Sequence, residues 1–244
     1  MLLKTIISIS VFLFLFISEN RGQSSIIKHV DVYFKLPFLE SKENPEEYNI
    51  QFILDSFSIF YNNNFILYKF PYTYIEQQND KIEKIEVKYT YFIFKNGSKY
   101  GYQHVPAKPD LIEKLAVDSI INKNAFGNVD LFFDSGYQKG EVYTMVDNFH
   151  LIEKYNSIQK PGKNFPDTVI YYYSEQCKDL PFSLSKKLEE KRKLKVLMIK
   201  GVFNSRFDEE TKITFPKREF NFELKPHDTM LDNFVLYVFN LYEK

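Results

Sequence analysis

The sequence has a single cysteine, Cys177, and no excess of charge of either sign. One cysteine excludes an intramolecular disulfide framework and any zinc site built on several cysteines. The 32 basic and 32 acidic side chains balance, which argues against a nucleic-acid-binding protein with a broad basic surface. At 44% hydrophobic residues the chain is too apolar for intrinsic disorder. The composition therefore indicates a folded protein that does not bind nucleic acid.

The longest uncharged hydrophobic run lies at the N-terminus and is short for a membrane span. Lys4 precedes an apolar stretch over 6–17 that only two serines interrupt, whereas a transmembrane helix needs about 20 apolar residues. This layout is typical of a secretory signal peptide; an uncleaved anchor or a buried helix is the alternative. We predict a signal peptide over 1–22, cleaved after Gly22, and one secreted or periplasmic β-rich domain over 23–244 without a transmembrane segment.

Alternation of apolar and polar residues predicts that most of the remaining chain forms β-strands. In 48–61 the apolar residues stand at even positions before Asp55 and at odd positions after it, and this change predicts a bulge or bend. The other predicted strands are 30–36, 65–70, 83–95, 98–105, 129–133, 168–173, 195–203 and 220–224, with a loop over 135–140.

Asn96 and Gly97 stand between two alternating segments and predict a β-hairpin. A two-residue type I′ turn needs a positive φ at both central positions, which Asn and Gly adopt at little cost. This turn places Ile93 opposite Tyr100 and Tyr91 opposite Tyr102, which predicts a ladder of aromatic side chains across the two strands.

Helices are fewer in the predicted structure, and each depends on a capping residue. The segments are 111–117 and 119–126, a turn over 147–154, an exposed helix over 185–193, and a C-terminal helix over 230–241 with Asp228 as its N-cap. Because strands outnumber helices and are joined by short turns, the predicted fold class is α+β, mainly antiparallel β-sheet with a few short helices and a C-terminal helix.

Sequence motifs of catalysis are absent: there is no G-x-S-x-G, Walker loop, G-x-G-x-x-G or H-E-x-x-H. His150 and Glu153 form one pair that a helical turn would bring together, but such pairs are commoner on solvated helices than in metal sites. We therefore predict no catalytic, cofactor-binding or metal-binding residues and no cofactor. Cys177 is predicted to be a free, half-buried thiol, with intermolecular pairing or catalysis as alternatives.

Three segments fit the pattern Asp, Ser or Thr, apolar residue, and centre on Ser119, Thr168 and Thr229. The pattern resembles the O-glycosylation acceptor motif of secreted proteins of Bacteroidota, which implies modification at these three hydroxyls. The alternative is that Asp-Ser and Asp-Thr pairs begin turns and cap helices.

Within 48–60 the sequence reads Tyr48-x-Ile50-x-Phe52-x-x-x-Ser56-x-Ser58-x-Phe60. Together with the signal peptide and the β-rich body, this segment resembles the GLPGLI-type secreted proteins of Bacteroidota. The motif that names that family is absent here. The resemblance implies a location in the bacterial envelope and no activity.

Aromatic residues are abundant, with 25 phenylalanines and 18 tyrosines. They indicate either a thick core or an apolar cleft on the sheet. We therefore expect an uncharacterised envelope protein, not an enzyme, that binds a hydrophobic ligand or an envelope partner through an aromatic-rich sheet. The alternative is a secreted hydrolase whose active site is assembled only in the folded chain.

Overall fold

A computed structural model describes residues 26–41, 48–78, 81–124, 131, 136–146, 148–158, 165–210, 212–228 and 231–243. The predicted signal peptide over 1–22, Thr229, and the predicted strand 129–133 apart from Leu131 lie outside the described residues.

The described chain forms thirteen strands, eleven of them in one sheet whose pairings are all antiparallel. The strands are β1 (Lys28–Ser41), β2 (Tyr48–Tyr61), β3 (Phe65–Gln78), β4 (Lys81–Lys95), β5 (Tyr100–Val105), β6 (Lys108–Ala116), β7 (Tyr137–Val146), β8 (Phe149–Ser157), β9 (Thr168–Ser174), β10 (Lys195–Phe203), β11 (Arg206–Asp208), β12 (Ile213–Phe215) and β13 (Arg218–His227). The large sheet has the order β6-β5-β4-β3-β2-β1-β13-β10-β9-β8-β7, and β11 pairs with β12. The prediction of a mainly antiparallel sheet is confirmed.

Three short helices accompany the sheet in the described residues: α1 (Val117–Asn124), α2 (Lys186–Arg192) and α3 (Asn233–Tyr242). The C-terminal helix is confirmed, but its N-cap is Asp232 and not Asp228. Asp232 Oδ1 accepts hydrogen bonds from the backbone N–H groups of Phe234 and Val235, at 2.7 and 3.1 Å.

Two predicted helices are wrong because neighbouring strands supply the backbone hydrogen bonds. Residues 111–116 belong to β6, which pairs with β5, and residues 149–154 belong to β8, which lies between β7 and β9. Residues 137–140, predicted as a loop, begin β7. Pairing within a sheet overrides weak local preferences for helix or loop.

The turn between β4 and β5 differs from the predicted type I′ turn. Ser98 N donates to Lys95 O at 2.9 Å, and Gly97 has φ +78°, but Asn96 is not among the residues with positive φ. Ile93 is opposite Tyr102 and not Tyr100, and Tyr91 is opposite His104 and not Tyr102. Lys99 O accepts a hydrogen bond from Val117 N, the first residue of α1, which continues the pairing of β5 with β6.

The sheet buries most of its aromatic side chains on one face, which we call the core face. Phe182, in the loop before α2, lies edge-on over Phe57 at 5.9 Å between ring centroids, and Tyr68 stacks on Phe57 at 5.9 Å. Other buried aromatic members of this cluster are Phe34, Tyr61, Phe70, Phe92, Phe94, Tyr155, Tyr171, Tyr173, Phe203, Phe220 and Phe222. These contacts indicate that the buried aromatic residues form a packed core.

The opposite face, called the α3 face, carries a smaller cluster and the C-terminal helix. Val235, Val238 and Phe239 of α3 pack against buried apolar residues of β2, β3 and β4. No bulge interrupts the pairing of β1 with β2. The change of parity near Asp55 instead marks a change of face, because Phe57 joins the core face whereas Phe52 lies on the α3 face.

Candidate functional site

A concavity of about 650 Å³ opens on the α3 face, beyond the part that the helix covers. Its walls come from β2, β1, β13, β10 and β9, and we call it the basin. Its apolar surface includes Ile50, Phe52, Tyr172 and Met198. A volume of this size, with apolar walls, is typical of sites that bind small molecules.

The centre of the basin is a row of three side chains on three adjacent strands. Asn221 of β13 is paired in register with Lys35 of β1 on one side and with Lys200 of β10 on the other. Directly opposite residues have Cβ atoms about 5 Å apart on the same face of a sheet. The Asn221 Oδ1 atom is buried and has no hydrogen-bond partner among the described residues.

Basic side chains predominate around the basin. Lys35, Lys200, Lys217 and Arg218 line it, against one carboxylate, Glu219. Glu219 Oε2 lies 2.7 Å from Lys200 Nζ, and its Oε1 lies 3.7 Å from Lys217 Nζ. Because one carboxylate neutralises one cation, the basin keeps an excess of positive charge.

The two remaining cations lie against aromatic rings. Lys35 Nζ is 3.9 Å from the ring centroid of Phe52, and the Arg218 guanidinium is 4.2 Å from that of Phe203. Burial, together with the neighbouring Arg206 guanidinium, lowers the pKa of Arg218 below its ordinary value. Because Phe203 belongs to the core face and residues of a strand alternate between faces, the Arg218 guanidinium lies on the core face, near Arg206 and Asp167, and not in the basin.

A second concavity, of about 690 Å³, contains Cys177. Burial and the nearby Asp179 carboxylate raise the pKa of the Cys177 thiol. A nucleophilic cysteine needs a lowered pKa, so this environment disfavours catalysis. Cys177 forms no disulfide within the described residues.

The same concavity borders a histidine–aspartate cluster on β1 and β13. Asp31 Oδ1 lies 3.0 Å from His29 Nε2 and accepts a hydrogen bond from Ser58 Oγ at 2.5 Å. His227 Nε2 lies 2.8 Å from Asp31 Oδ2 but lacks hydrogen-bond geometry. Burial alone would raise the pKa of Asp31, but the bonds from His29 and Ser58 and the histidine charges lower it to about 2. Such a carboxylate is ionised near neutral pH and is poorly matched to acid–base catalysis there.

Glu153, predicted as the partner of His150 on a helix, lies instead on β8, where His150 is exposed and Glu153 is fully buried. Its carboxylate accepts hydrogen bonds from Arg192, at 2.5 and 3.2 Å, and from Tyr173 at 2.9 Å. Lys139 Nζ lies 2.7 Å away. Burial raises the pKa of Glu153, but these donors outweigh burial and lower it. Glu153 thus anchors α2 to the sheet. A separate search of the described residues finds no cluster of three side chains that could hold a metal ion.

The predicted glycosylation residues differ in their surroundings. Ser119 is exposed on α1. Thr168 is half-buried at the start of β9, and its hydroxyl donates to Asn156 Oδ1 at 3.1 Å. The surroundings therefore favour Ser119 over Thr168 as an acceptor, and modification stays a prediction.

Comparison with known proteins identifies no family. No family model and no curated protein matches the sequence. One matching solved structure is the crystal structure of LolA superfamily protein NE2245 from Nitrosomonas europaea, at 11% identity over 87% of this chain and 90% of that chain, with a TM-score of 0.24. A similarity at this level establishes neither a family nor a common fold, and the likeness to GLPGLI-type proteins stays a prediction. No helix among the described residues is long and apolar enough to cross a membrane.

Proposed function

We propose that this protein is exported to the periplasm or the cell exterior and binds a hydrophobic ligand in the basin. The observation that carries the proposal is the concavity of about 650 Å³ whose walls include Phe52, Tyr172 and Met198. Covering apolar walls that are exposed to water lowers the free energy of the system, so these walls favour the binding of a ligand. The export rests on the signal-peptide pattern of residues 1–22.

The basin is preferred to the core face as the ligand site because aromatic rings pack closely on the core face, and the concavity beside Phe34 and Phe70 on that face is smaller, about 430 Å³. Rings there pack at ordinary aromatic distances, as Phe57 does against Tyr68 and Phe182. The residues that line the basin belong to the less aromatic face of the sheet. The one sequence signal of this face was the shared parity of the apolar residues at positions 50, 52 and 54.

Catalysis is a weaker proposal, since two carboxylates that accept several hydrogen bonds are both held ionised. Asp31 is surrounded by His29 and Ser58, and Glu153 by Arg192 and Tyr173. General acids and bases have pKa values near the working pH, whereas both of these pKa values are lowered.

A second candidate function is docking to an envelope protein through the β3–β4 hairpin. Its outer half leaves Ile75, Ile85 and Val87 exposed, on the same face of the ribbon. Exposed apolar clusters mark interaction surfaces. Ile85→Lys is expected to abolish capture of such a partner and to leave ligand binding in the basin unchanged.

The test of the ligand proposal uses protein with residues 23–244 purified from its own envelope. Solvent extraction and mass spectrometry should detect co-purifying lipid, and dodecanol added to delipidated protein should raise its melting temperature. Met198→Trp fills the basin and is expected to abolish both effects.

The matched control is Tyr143→Trp, at an exposed position on β7 away from the basin. It should behave as the unmodified protein. Lipid-free protein with no thermal response to dodecanol, or equal responses in both tryptophan variants, would show that the basin is not a ligand site.

A further inference from the structure

We propose that the basin selects an anionic amphiphile, with an acyl or alkyl chain on its apolar walls and a carboxylate or phosphate head between Lys35, Asn221 and Lys200. This inference rests on the proposed function, since it specifies the chemical class of ligand for the same site.

The first argument is the row at the centre of the basin. Register pairing places Lys35 and Lys200 on either side of Asn221, so two ammonium groups flank one amide. An anion above this row accepts hydrogen bonds from both lysines, and such charge-assisted bonds are roughly twice as strong as neutral ones.

The second argument is the buried polar atom at the same place. Asn221 Oδ1 has no hydrogen-bond partner among the described residues, and an unpaired buried polar atom lowers stability. The two ends of an amide have nearly the same shape, so a rotation of the Asn221 amide presents its NH₂ group to the basin instead. A bound anion would then accept from it.

The third argument is the imbalance of charge. Glu219 contacts Lys200 and Lys217, whereas Lys35 has no carboxylate within ion-pair distance in the described part of the chain. Three lysines therefore share one carboxylate in the basin, which keeps an excess of positive charge. Cations above apolar walls match an anionic head on an apolar tail, and they repel a cationic head.

The experiment measures binding by isothermal titration calorimetry, with delipidated protein and four probes of equal chain length used as monomers. The probes are dodecanoate, dodecyl phosphate, dodecanol and dodecyltrimethylammonium. We expect at least one anion to bind about tenfold more tightly than dodecanol, and the cationic probe to bind most weakly. Preference for dodecanoate assigns a carboxylate head, and preference for dodecyl phosphate assigns a phosphate head.

Variants separate charge from shape. Lys35→Gln and Lys200→Gln should each weaken binding of the preferred anion severalfold and leave dodecanol binding unchanged. Glu219→Gln should strengthen anion binding, because it releases Lys200 and Lys217, and a misfolded variant cannot produce this gain. Lys225→Gln, on the same strand but outside the basin, is the control and should match the unmodified protein.

The outcomes distinguish the two proposals. Equal affinities for dodecanol and both anions, with no effect of Glu219→Gln, would overturn the selection of an anion and keep hydrophobic binding. No heat of binding and no thermal stabilisation with any of the four probes would overturn both.

Discussion

Asp232 joins helix α3 to the sheet through Lys69. Asp232 Oδ2 lies 2.8 Å from Lys69 Nζ, while Oδ1 accepts from the first N–H groups of the helix. One carboxylate therefore both caps α3 and holds it on β3. Burial raises the pKa of Asp232, but the Lys69 bond and the backbone N–H donors outweigh burial and lower it.

Replacement of Asp232 should separate the two roles. Asp232→Ala removes cap and ion pair, and we expect it to lower the free energy of unfolding by about 1–2 kcal/mol. Asp232→Asn keeps an N-cap oxygen and should retain most of that stability. Urea unfolding monitored by circular dichroism measures both variants, and an equal loss in the two would contradict the capping role.

Acid should destabilise the protein through Asp31. Its pKa is about 2 in the folded chain, against an ordinary value of 3.8 for an aspartate. Because the folded pKa is lower, the stabilising contribution is complete above pH 3.8 and is lost as the pH falls toward 2. Asp31→Asn should be less stable at neutral pH and should show a flatter decline of stability over that window. Thermal unfolding from pH 2 to 6 tests this, and parallel pH profiles would refute it.

Helix α2 should depend on Arg192, whose guanidinium contacts the buried Glu153 carboxylate. Arg192→Met leaves that carboxylate with fewer donors, and we expect a loss of roughly 2–4 kcal/mol in the free energy of unfolding. Lys191→Met changes the neighbouring exposed residue and should cost no more than about 0.5 kcal/mol. Urea unfolding of both variants provides the comparison, and similar losses would argue against the anchor.

A side chain at position 97 should destabilise the protein because of the backbone conformation of Gly97 alone. Its φ is +78°, yet an added Cβ atom would meet nothing within 4 Å. Gly97→Val should therefore destabilise by about 1–2 kcal/mol through left-handed strain. Gly136 is equally open but has no positive φ, so Gly136→Val is the control with little expected effect. Similar melting temperatures for the two variants would show that the turn relaxes.

Local patterns in the sequence were sufficient for several elements. Alternation in β1, β9, β10 and β13 predicted strands, because a strand with one buried face repeats every two residues. The helical stripe of Val235 and Val238 predicted the C-terminal helix. A capping aspartate was correctly expected for α3, although position 228 was chosen in place of Asp232.

Pairing between distant segments decided the rest. The segments of β6 and β8 have helix-like patterns, yet they became strands because β5 and β9 accept and donate their backbone hydrogen bonds. Ile93 pairs with Tyr102 in place of Tyr100, and no local turn preference predicts that shift.

The sequence by itself determined that the fold is mainly antiparallel sheet, since apolar periodicity and helix capping are local features that each segment of the chain contains. The tertiary structure alone decided the basin. Lys35, Lys200 and Asn221 are far apart in the chain and share no motif, and they meet because β1 and β10 both pair with β13. Which residues face each other across a sheet depends on strand order and register, and the whole core selects these together.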